Sequence, residues 1–122
     1  ELNGLHSLCE AEIKGFSVSP PSETILKHYH KFCELIETLG MSVGLDRPEL
    51  IVYNTVDDEQ PSFLGLYDLG KKQIMIWEKN PRLSETMVHE LAHHYTRGAD
   101  DHSPRFAAFG HNLVAAIMSQ LM

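Results

Sequence analysis

The chain of 122 residues predicts one small α+β domain with elements in the order α-β-β-β-α-α. Three observations carry this reading. Apolar residues recur at threes and fours over 22–39, 83–95 and 104–121, the period of helices that bury one face. Three short runs rich in β-branched and aromatic residues, 50–53, 63–67 and 73–77, lie between the first and second of these helices. No internal repeat or low-complexity tract divides the chain, whose length suits a single core. Residues 1–122 are therefore one domain, with 1–21 as a loosely attached N-terminal segment.

Taken in order, Leu5, Leu8, Cys9 and Ile13 form a weakly amphipathic piece that Gly15 and the Pro20-Pro21 pair bring to an end. Ser22 is placed to cap the first main helix, whose stripe is Ile25, Leu26, Tyr29, Phe32, Cys33, Ile36 and Leu39, and Gly40 is placed to stop it. His28 and His30 on this helix point about 200° apart and do not form a chelating pair. The run 50–53 reads as a strand, and 57–61 as a solvated acidic loop. The runs 63–67 and 73–77 read as a hairpin around Gly70, with Gly65 marking a bulge or a close approach. Asn80-Pro81 or Ser84 starts the next helix and Gly98 is its expected C′ residue. Ser103-Pro104 starts the last helix, with Phe106, Phe109, Leu113 and Ile117 among its apolar face.

Composition narrows the function classes. A net charge of −7 gives no general attraction to nucleic acid phosphates or anionic lipid. The cations Lys71, Lys72, Lys79 and Arg82 read as a solvated edge. No apolar run is long enough to span a bilayer. The two cysteines, Cys9 and Cys33, make neither a disulfide framework nor a Cys-x-x-Cys pair, and a reducing, cytoplasmic setting is expected.

The chemistry concentrates in Met87-Val88-His89-Glu90-Leu91-Ala92-His93-His94-Tyr95. Residues four apart on a helix are separated by about 400°, so the His89 and His93 imidazoles leave one face a turn apart, where both can hold one metal ion. Glu90 lies about 100° around from His89, within reach of a water on that metal. This is the His-Glu-x-x-His arrangement of zinc hydrolases. A catalytic zinc takes three protein ligands and keeps a position open. His94, Asp100, Asp101, His102 and His111 are the candidates for the third.

With the segment Asp101-His102-Ser103-Pro104-Arg105-Phe106 following a short linker that contains Gly98, the chain resembles the SprT-like or minigluzincin group of small zinc metallopeptidases of phages and bacteria. In that group a His-Gly-x-x-Phe segment follows the motif helix and its histidine is the third ligand. The resemblance implies a zincin-like fold with a three-stranded sheet packed on the motif helix, a Zn²⁺ cofactor held by His89, His93 and His102, and Phe106 beneath the site. Ser103 stands where that group has glycine. The linker between His93 and His102 is shorter than in the DNA-repair members, and the sequence holds no zinc ribbon, so repair of protein–DNA crosslinks is not implied.

The expected activity is zinc-dependent hydrolysis of a peptide bond in a protein or peptide substrate, with Glu90 as general base. Tyr95, Arg105 and His111 are candidate donors to the developing oxyanion, and Asp100 or Asp101 a candidate partner for a ligand histidine. A substrate aligned along strand 73–77 by backbone pairing is expected. The alternatives are a zinc-stabilised interaction domain without catalysis, and a zinc hydrolase of a non-peptide amide.

Overall fold

The computed structural model describes residues 16–56, 59–100 and 102–121. They form three helices and a four-stranded mixed sheet: β1 (Phe16–Ser19), α1 (Glu23–Thr38), β2 (Glu49–Thr55), β3 (Gly65–Asp68), β4 (Gln73–Trp77), α2 (Leu83–Tyr95) and α3 (Pro104–Leu121). The α+β class and the helix-strand order from 22 onward match the sequence reading. The sheet has one strand more than expected. β1 pairs antiparallel with β2 from Phe16↔Thr55 to Ser19↔Val52, so residues assigned to a loose segment supply an edge strand. The Leu5, Leu8, Cys9 and Ile13 piece lies outside the described residues.

The sheet order is β1-β2-β4-β3. β3 and β4 form the expected antiparallel hairpin, and β4 then inserts parallel to β2. Within the hairpin the left-handed residue is Lys72, with φ of 53°. Gly70 is not one of the positive-φ glycines, and the Asp68 carboxylate instead holds the turn by accepting from the Lys71 N–H at 3.1 Å. The central position of β4 overturns the expectation that a substrate pairs along 73–77, because both of its edges are already hydrogen-bonded. β3 is the edge strand on that side.

Alternation along the strands divides the sheet into two faces. Val52, Ile74 and Ile76 point to the helices and join Ile36, Met87, Leu91 and Leu113 in the main core. Tyr53, Met75 and Trp77 point the other way and pack with Ile51, Phe63, Leu64 and Leu66. The link from β2 to β3 is tied over that second face by Tyr53 Oη donating to the Phe63 carbonyl at 2.8 Å and Asn80 Nδ2 donating to the Leu64 carbonyl at 3.1 Å.

α1 begins as expected, with Ser22 Oγ accepting from the Ile25 N–H at 3.2 Å, and turns off at Gly40 with φ of 73°. α2 differs at both ends. It starts at Leu83 with Arg82 as N-cap and no side-chain cap, so neither Pro81 nor Ser84 has its expected place. Asn80 Oδ1 accepts from the Arg82 N–H at 2.7 Å, a local turn that competes with helix and delays its start. At the C-terminus, Arg97 N–H donates to His94 O at 3.0 Å and Gly98 N–H to His93 O at 2.7 Å. This is a Schellman pair in which Arg97, with φ of 58°, is C′ and Gly98 is C″. Gly98 itself has φ of 79°, which favours glycine at this position, and a Cβ there would also come within 2.9 Å of the Leu69 side chain. Ser103 Oγ caps α3 through the Phe106 N–H at 3.1 Å. No helix among the described residues is long and apolar enough to cross a membrane.

Candidate metal and hydrolytic site

α2 packs across β3 and β4, and a buried stripe of Met87, Leu91, Ala92 and Tyr95 seats it. That fixes the rotation of the helix and brings His89 and His93 to one side, with ring centroids 4.8 Å apart and planes at 84°. Phe106, at the start of α3, lies against both rings, 5.1 Å from His89 and 4.5 Å from His93. His93 Nδ1 is 3.0 Å from the Ala99 carbonyl. A carbonyl only accepts, so Nδ1 carries the proton and Nε2 the lone pair of the neutral ring, the pattern by which an outer partner sets up a metal-binding histidine. The return of the chain after Gly98 therefore orients His93 through backbone, a role the sequence assigned to Asp100 or Asp101.

Glu90 is only 6% exposed. It lines a groove of about 320 Å³ together with His89, Thr86, Glu85, Arg82 and Gly65. β3 forms the opposite wall, and the approach is close: a Cβ at Gly65 would meet Thr86 Cγ2 at 2.4 Å and Glu90 Cγ at 3.4 Å. The close approach expected at Gly65 is thus made by side chains of the motif helix. Only glycine lets β3 run this near to the Thr86 and Glu90 side chains.

His94, one residue beyond His93, has both ring nitrogens engaged inside the fold. Nε2 donates to the Asp46 carbonyl at 2.7 Å, and Nδ1 accepts from Tyr67 Oη at 2.9 Å. Burial holds its pKa below the ordinary histidine value, opposed by the Asp46 hydrogen bond. Burial, with the nearby Asp68 charge, pushes the Tyr67 hydroxyl up to about 12, so it remains a donor. The Tyr67 ring also lies parallel to His93 at 6.4 Å. Sequence reasoning missed Tyr67. The signal was its spacing from Gly65, which strand alternation places on the same face.

The remaining candidates scatter. Tyr95 is buried and stacked on Phe109 at 6.0 Å, with its hydroxyl held in the core near the Cys33 thiol. Arg105 donates to the Thr96 carbonyl and, with Tyr95, lines a separate hollow that contains neither motif histidine nor Glu90. His111 is on the exposed side of α3. Tyr95 is held by core packing and Arg105 by the end of α2, outside the groove that Glu90 lines. Asp101 lies outside the described residues. His102 is exposed, its N–H bonded to Asp100 Oδ1 at 2.8 Å. Among the described residues no three His, Cys, Asp or Glu side chains converge at metal-binding distance. The donor set present fits zinc in kind, with two imidazoles and an adjacent carboxylate, and is one ligand short of a catalytic triad. No family model, curated protein or solved structure matches the chain, and the functional reading rests on these residues.

Proposed function

We propose that the chain is a zinc-dependent metallopeptidase of zincin-like architecture. The observation that carries the proposal is the paired His89 and His93 imidazoles, 4.8 Å apart, with the His93 tautomer set by Ala99 and Glu90 buried beside them in the groove under β3. His89 and His93 would hold the ion, and His102, which the described geometry does not bring to them, would be the third ligand that the resemblance of its segment implies. The C-terminal end of α2, where His93 sits, carries the partial negative charge that favours a cation. When bound, zinc supplies Lewis acidity that polarises the scissile carbonyl and makes water acidic near neutral pH.

Glu90 accepts the proton as the water oxygen bonds to the carbonyl carbon. It then passes that proton to the amine nitrogen as the C–N bond breaks. The β3 edge, rather than 73–77, offers backbone groups to an extended peptide laid along the groove. Burial of Glu90 keeps bulk water from competing for the proton. Glu90→Gln is the direct test. It should keep zinc affinity within about twofold and lower peptide turnover by about 10²–10⁴-fold, read by competition with a chromophoric chelator and by a quenched fluorogenic peptide. Undiminished turnover in the mutant would sink the mechanism.

A further inference from the structure

Behind the motif lies a second groove, of about 400 Å³, between α2, α3 and Phe32 of α1. Its walls are mostly apolar, with Phe32, Val88, Ala92, Phe106, Val114 and Ile117, and Ser84 and Glu85 add polar groups from α2. His89 and Glu85 line both this groove and the polar one that holds Glu90, so the two adjoin on either side of the first histidine of the motif. Gly110 also lines it. This glycine is in the interior of α3, has no positive φ, and a Cβ built on it would meet nothing within 4 Å. Packing therefore does not require glycine here. Glycine in a helix interior lowers stability relative to alanine, and what it leaves in return is depth.

We infer that this groove is the specificity pocket of the enzyme, taking one large apolar side chain, phenylalanine or leucine, of a peptide whose backbone lies in the adjoining Glu90 groove, and that Gly110 sets its depth. The inference rests on the hydrolytic reading of the Glu90 groove. An acidic side chain is disfavoured, because the lining has no lysine or arginine to replace the water it loses and Glu85 would repel it. Alanine is too short to fill the space and forfeits the apolar contact. The occupant is a side chain of a peptide because the groove adjoins the polar trough across His89, where a backbone finds the β3 edge.

The test uses capped tripeptides, acetyl-glycyl-X-glycyl-amide with X phenylalanine, leucine, alanine or aspartate, titrated into the metal-free chain and followed by the methyl resonances of Val88, Ala92 and Val114. Phenylalanine and leucine should bind about tenfold or more tightly than alanine, with aspartate weakest. Gly110→Leu should erase that preference while the Tm stays equal or rises, and Gly110→Ala should keep most of it. Val114→Phe, at the exposed rim, is a second filling variant. Equal affinity for the four peptides, or an unchanged preference in both filled variants, overturns the pocket. The zinc-loaded chain separates this from the parent reading. Cleavage without preference between phenylalanine and alanine peptides removes the pocket and leaves the peptidase. Selective binding lost in Gly110→Leu, with no cleavage of any peptide, removes the peptidase and leaves the pocket.

Discussion

His93 and His94 are consecutive and identical in chemistry but opposite in surroundings, because α2 turns about 100° between them. His93 looks along the motif face, packs against His89 and Phe106 and has one nitrogen oriented by the Ala99 carbonyl. His94 looks into the fold, is 3% exposed, and ties β3 to the segment before β2 through Tyr67 and Asp46. A histidine with both nitrogens spoken for by Tyr67 and Asp46 is a structural strut. What separates the two roles is where the hydrogen bonds go, which residue type alone does not reveal.

The contrast breaks most sharply under paired alanine substitution. His93→Ala should lower zinc affinity by more than about a hundredfold, since loss of even an outer partner of a ligand costs 10–100-fold, and should shift the Tm little. His94→Ala should do the reverse, keeping zinc affinity within a few-fold and losing about 1–3 kcal/mol of stability, because it removes a buried ring and leaves the half-buried Tyr67 hydroxyl and the Asp46 carbonyl without their partner. Chelator competition and denaturant melts of the two variants read both effects. A large stability loss in His93→Ala with none in His94→Ala would reverse the assignment.

A smaller effect is expected at the seam between β3 and α2. Gly65→Ala drives a methyl into Thr86 Cγ2 and should cost about 1–3 kcal/mol by overpacking, with turnover falling because Glu90 lies on the same seam. Thr86→Ser deletes that methyl, so the double mutant should recover most of the stability. Absence of recovery would place the strain elsewhere.

The smallest effect belongs to the far end of α1, where Arg47 forms two hydrogen bonds to the Glu37 carboxylate at 2.7 and 2.8 Å. The Arg47 hydrogen bond holds the Glu37 pKa below its ordinary value. Its contribution is thus present above the ordinary carboxylate pKa and is lost as pH falls through the depressed folded value. Both side chains are substantially exposed, so screening limits Arg47→Ala to about 1 kcal/mol or less at neutral pH. The difference from wild type should vanish in acid, as pH-dependent melts would show.

Much of the architecture was legible because it is local. Ser22 capping α1, the hairpin of β3 and β4, and the Ser103 cap of α3 each depend on residues a few positions apart. The start of α2 was misplaced by one local contest, in which Asn80 Oδ1 takes the Arg82 N–H and draws the backbone into a turn. The strand β1 was missed for a different reason. Four residues beside a proline pair carry too little pattern, and pairing with β2, over thirty residues away, supplies the strand.

By itself the sequence determined that His89 and His93 share a helical face with Glu90 beside them, since four residues on an α-helix span just over one turn wherever that helix packs. It also determined that His94 points elsewhere. Tertiary structure decided the rest: that β4 is central and β3 the edge beside Glu90, that Tyr95 and Arg105 serve the core and the helix end, that Ala99 orients His93, and that an apolar groove floored by Gly110 adjoins the motif. Strand order, helix rotation and groove depth depend on contacts between residues far apart in the chain, and periodicity constrains each element without saying what it meets.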